Sequence, residues 1–69
     1  MSNKEFLKRL GMELKVARIR KGMSRVDVVK LTGVNPNTIS LIELGKNDAK
    51  ILTLKRMIDA LGMDMKDFL

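Results

Sequence analysis

The chain has no cysteine and no histidine. The first absence removes disulfide staples and Cys-based zinc sites. The second removes every acid–base, nucleophilic or metal-binding arrangement that depends on imidazole. Trp and Tyr are also missing, and Phe6 and Phe68 are the two aromatic residues. The stacking platform that holds single-stranded nucleic acids is therefore lacking. No apolar run approaches the roughly 18 residues of a membrane span. The opening MSNKEFLKRL is mixed and charged, without the apolar block of a signal peptide. There is no phosphate-binding glycine loop, and the carboxylates are scattered, mostly beside basic residues. These absences predict a soluble cytoplasmic protein, not an enzyme, with no cofactor and no metal.

The 69 residues, 45% of them apolar, suit one small domain over 1–69 with a core of Leu, Ile, Val and Met. A chain this short needs a well-made core or self-association. The net charge of +6 fits either a polyanionic partner or a solvated basic surface. Its distribution is uneven. Residues 1–22 carry seven positive and two negative side chains, residues 23–46 three and two, and residues 47–69 four and four.

Glycines divide the chain into helical segments. The first runs from about Lys4 to Lys21. Asn3 is its expected N-cap, and Phe6, Leu7, Leu10, Leu14 and Ala17 form its apolar face. Gly11 interrupts this pattern at a propensity cost of about 1 kcal/mol against Ala. Gly22 stops the segment. The second opens at Ser24, which has capping-box spacing to Asp27, and Gly33 ends it. The third has the clearest start: Asn35 as N-cap and Pro36 at the first helical position, where a missing N–H costs nothing. Ile39, Ile42 and Glu43 line its inner side, and Gly45 closes it. The fourth, from about Ile51 to Leu61, turns Leu54, Met57, Ile58 and Leu61 inward before Gly62. Asp64 can cap a last short turn through Met65, Phe68 and Leu69. Two short helices joined by Thr32-Gly33-Val34-Asn35, over about 25–44, form a helix-turn-helix pattern.

GMSRVDVVKLTGVNPNTISLIELGK followed by LKRMIDALGMDMKDFL resembles the lambda-repressor-like (Cro/CI or XRE) helix-turn-helix family across roughly residues 10–69. The features that coincide are Gly22-Met23-Ser24, Gly33-Val34 at the turn, Thr38-Ile39-Ser40, Glu43-x-Gly45-Lys46 and Ala60-Leu61-Gly62-Met63. The resemblance implies an all-α, five-helix bundle whose third helix enters the major groove N-terminus first. It implies base reading by Pro36, Asn37 and Leu41, flanked by Thr38 and Ser40. Asn37 has the donor and acceptor that match adenine N6 and N7. Leu41 stands where the family often has a polar or small residue; it either meets thymine methyl groups or lies in a protein contact. Arg25, Asn35 and Lys46 match phosphate-contacting positions, and phosphate contacts set register. Arg18 and Glu43 match an internal salt bridge, which makes Arg18 structural.

Other departures from the family bear on packing. Val29 replaces a usual Ala where the second and third helices cross, which predicts a wider or shifted crossing. Ala49 and Lys50 replace a usual Pro and Ser, which predicts a ragged start to the fourth helix. Val16, Ile19, Val26, Leu31, Leu41, Leu44 and Leu52 are apolar where the family is often polar. They either enlarge the core or form a patch that needs a partner, and Leu52 is the candidate dimer contact. The resemblance points to a transcriptional regulator of phage, prophage or mobile-element type. It would act as a repressor, a homodimer on double-stranded DNA with a pseudo-palindromic operator. The alternative is a protein-interaction module such as an antitoxin or an anti-repressor partner.

Overall fold

The computed structural model describes residues 3–46 and 50–68. Four α-helices follow one another: α1 (Asn3–Arg20), α2 (Arg25–Thr32), α3 (Pro36–Glu43) and α4 (Ile51–Ala60). A 3-10 turn, Met65–Phe68, closes the described chain. The class is all-α, but there is no fifth α-helix among the described residues. Among the described residues a single 3-10 turn follows Gly62. Asp64 accepts from Lys66 N–H at 3.0 Å, its own N–H donates to Asp67, and Asp67 N–H reaches back to the Asp64 carbonyl at 2.9 Å. These bonds tighten the segment into i→i+3 geometry, which rarely extends beyond such a piece.

Local chemistry explains the helix ends. At Ser24 both halves of the capping box are made: Asp27 N–H donates to Ser24 Oγ at 3.1 Å, and Ser24 N–H donates to Asp27 Oδ2 at 2.8 Å. Asn35 Oδ1 accepts from Asn37 N–H at 2.8 Å, with Pro36 as the first helical residue. Lys50 caps α4 with backbone only, making no side-chain cap bond. Ala49 and Leu69 lie outside the described residues. Asn3 is the first residue of α1 and not the cap that precedes it. Helix α3 ends in a paired-bond stop around Gly45: Lys46 N–H donates to the Leu41 carbonyl and Gly45 N–H to that of Ile42. That arrangement needs the left-handed φ of +71° at Gly45, which glycine adopts without strain.

The core comprises Leu10, Leu14, Val28, Val34, Ile39, Ile42, Met57, Ile58 and Leu61, contributed by all four helices and the turn after α2. Helix α1 packs on α3, and α2 packs on both α3 and α4. Helix α1 runs unbroken through Gly11, which is buried. A Cβ there would meet the carbonyl oxygens of Ile42 and Glu43, the latter at 2.8 Å. The residue that looks like an interruption in the sequence is what lets α1 lie against the end of α3. Val29 is half-buried and packs against the core.

Two expectations about the core need correction. Phe6 is 39% exposed, because it lies one turn before the first buried residue of α1, Leu10. Nor do the extra apolar residues enlarge the core. Val16 is half-buried, whereas Ile19, Val26, Leu31, Leu41, Leu44 and Leu52 are all exposed. Each falls on the side of its helix that no other described helix covers.

Candidate nucleic-acid interface

Helix α3 has two unlike faces. Ile39, Ile42 and Glu43 are buried, and Asn37, Leu41 and Leu44 stand on the other side at i, i+4 and i+7 spacing. Asn37 is exposed in the first turn. Its backbone N–H is spent on the Asn35 cap, but its side-chain amide has no partner among the described residues. Pro36 is exposed beside it, and Thr38 and Ser40 are half-buried along the flanks. Leu41 is 39% and Leu44 56% exposed, so the outward stripe becomes apolar after its first turn. Leu44 was not among the base-reading candidates, although the i+7 step from Asn37 points to it.

The two helices of the motif start at the capped residues Ser24 and Asn35. Each presents backbone N–H groups and the positive end of a helix dipole, which favours anions. Asn35 uses its Oδ1 in capping, and its amide nitrogen has no partner among the described residues. Lys46 is exposed immediately after the α3 stop.

Behind the outward stripe lies an ionic cluster on Glu43. Arg18 donates to it twice, Nε to Oε2 at 2.7 Å and Nη2 to Oε1 at 3.3 Å. Arg18 Nη1 also donates to the Met23 carbonyl at 2.9 Å, tying down the connection into α2. The Arg18 and Glu43 side chains are only 10% and 2% exposed. Arg25, from the first position of α2, joins the same carboxylate: its Nε donates to Oε1 at 3.2 Å. The Arg25 side chain is 46% exposed, and its two terminal nitrogens have no partner among the described residues. Two guanidinium groups on one carboxylate leave a surplus positive charge, and Arg25 carries it toward the surface.

The cluster therefore joins three helices at the last residue of α3 and leaves no buried side-chain polar atom unsatisfied among the described residues. Opposite charges at bidentate geometry give direction as well as attraction. Sequence reasoning paired Arg18 with Glu43 but gave Arg25 only an outward role. An arginine 18 positions before a glutamate carries no local signal of contact. The Asp27 carboxyl is held below its ordinary value of 3.8, first by the Ser24 backbone N–H and then by the Ser24 hydroxyl.

Among the described residues no helix is long and apolar enough to cross a membrane, and no acidic cluster could hold a metal ion. A search of curated proteins returned no match. A family model described as a helix-turn-helix domain matches residues 9–67. That span includes both helices of the motif, the turn between them and the parts of α1 and α4 that pack behind them, and the chain belongs to this helix-turn-helix family.

Proposed function

We propose that the protein is a sequence-specific regulator of transcription that binds double-stranded DNA through α3, a repressor acting as a homodimer on a pseudo-palindromic operator. The observation that carries this reading is the free Asn37 amide, exposed in the first turn of α3 opposite the buried face. Asn37 reads adenine through N6 and N7. Leu41 follows one turn later and meets thymine methyl groups, while Pro36 contributes van der Waals contact. Thr38 and Ser40 flank these contacts. Arg25, the Asn35 amide nitrogen and Lys46 take phosphate oxygens and hold the register. A single module of this kind covers only about 600–1,000 Å² of DNA-facing surface, so useful specificity calls for two. Leu52, 68% exposed near the start of α4, is the contact proposed between the two copies. The half-sites then lie about 34–36 Å apart, one turn of the duplex.

Selection from a pool of random duplexes tests this, with Asn37→Ala run in parallel. An enriched inverted repeat, altered at a single position per half-site by Asn37→Ala, is the expected result. Salt-sensitive binding without an enriched sequence would overturn direct readout. The exposed apolar side chains of α1, α2 and α4 favour a protein partner as a second reading, compatible with the first.

A further inference from the structure

We propose that Glu43 is a positioning residue for DNA binding: it holds the Arg25 guanidinium so that its free edge meets a phosphate. The inference rests on the DNA-binding reading of α3. It adds a second task to a carboxylate that already ties three helices together. Glu43 needs no further cation for folding, because Arg18 donates to both of its oxygens and balances its charge. Arg25 nevertheless reaches the same Oε1 from the first residue of α2, with Nε at 3.2 Å. It adds a charge that the buried pair does not require, and its side chain stays 46% exposed.

The donors each arginine uses separate the two roles. A guanidinium carries its N–H groups in one rigid plane. Arg18 commits Nε and Nη2 to Glu43 and Nη1 to the Met23 carbonyl, so each of its nitrogens has a partner. Arg25 commits Nε alone, and Nη1 and Nη2 have no partner among the described residues. That remaining edge matches two oxygens of one phosphate. The bond at Nε restricts the plane before DNA arrives, which lowers the ordering cost of the contact. Asp27, the acid closest in sequence, accepts from the Ser24 N–H in the helix cap. The positive end of the α2 dipole lies at the same place and favours an anion there. A lysine at position 25 has a single nitrogen, which cannot hold Glu43 and also offer a two-point edge.

The test uses the full chain and a mixed-sequence DNA duplex, because a phosphate contact carries no sequence. Arg25→Lys keeps the charge and loses the anchored edge. It is expected to weaken binding about tenfold at an unchanged salt slope. Arg18→Met with Glu43→Leu removes the anchor, and its folding is checked by circular dichroism. In that background Arg25→Lys should cost less than about twofold, since the arginine is no longer held. A second readout needs no DNA. By NMR, the Arg25 Nε–H of the parent should exchange with water more slowly than those of the exposed Arg20 and Arg56. The double replacement should abolish that protection. Should the double replacement not fold, the exchange measurement and Arg25→Lys on the parent decide. Parent affinity in Arg25→Lys, equal losses in both backgrounds, or an Arg25 Nε–H that exchanges as fast as the other two would overturn the positioning role. Those outcomes leave DNA binding itself standing. A parent that binds no duplex even at low salt would overturn the DNA reading and this role with it.

Discussion

Arg18 and Glu43 face each other across the α1–α3 contact as a nearly buried, bidentate pair, with Nε and Oε2 2.7 Å apart. Arg25 approaches the same carboxylate from α2, so the last residue of α3 is held from two helices. The cluster holds the C-terminal end of α3, while Ile39 and Ile42 hold its inner face in the core.

Removing one partner of the buried pair strands a charge. Arg18→Ala is expected to cost about 3–5 kcal/mol, measured by urea unfolding. The paired replacement Arg18→Met with Glu43→Leu should recover most of that loss, because both desolvated charges disappear together. A loss below about 1 kcal/mol in Arg18→Ala would sink the assignment of Arg18 as a structural residue.

Gly11→Ala tests the close approach of α1 to α3. Helix propensity alone predicts a gain of about 1 kcal/mol. The new Cβ would press on the backbone carbonyls of Ile42 and Glu43, which cannot swing aside as a side chain could. A net loss of about 1–3 kcal/mol is therefore expected. Unchanged or higher stability in thermal unfolding would show that the two helices can part without cost.

Arg25 is half exposed, so its bond to Glu43 contributes under about 1 kcal/mol to folding. Its larger effect should appear on DNA. Arg25→Gln should leave the melting temperature nearly unchanged and lower the slope of log K against log salt by about 1. Lys46→Ala should weaken binding to all sequences alike in the same way. An unchanged slope in both variants would remove these residues from the phosphate contacts.

Acid should undo the α2 cap. The Asp27 carboxyl is lowered below 3.8 by the Ser24 N–H and hydroxyl, so its ionised form favours the folded state. That contribution is complete above the ordinary value of 3.8 and fades as pH falls through the lowered one. The stability difference between the parent and Asp27→Asn should be constant from neutrality down to about 3.8 and shrink as pH falls from there through the lowered value. A difference that grows on acidification would have the wrong sign.

Much of the helical outline was legible along the chain. The signals at Ser24 and Asp27, at Asn35 and Pro36, and at Gly22, Gly33, Gly45 and Gly62 act within one turn of the backbone. They work the same way wherever the helix is later placed. The buried stripes of α3 and α4 were equally readable, because spacing alone assigns residues to a face. The resemblance supplied the motif's family and the pairing of Arg18 with Glu43.

Other features depended on what each face meets. Gly11 looks like a weak point until the carbonyls of α3 are seen against it. Ile19, Val26, Leu31, Leu44 and Leu52 have core-like side chains, but no described helix covers them. Arg25 is drawn to Glu43 only because the fold places the start of α2 beside the end of α3. By itself the sequence determined where α2 and α3 begin, where the four helices stop and which side α3 and α4 turn inward, since those choices are made by groups a few residues apart. The tertiary structure alone decided which glycine is a point of contact, which leucines remain in water and which charges share a partner, since those depend on neighbours that the chain brings together only by folding.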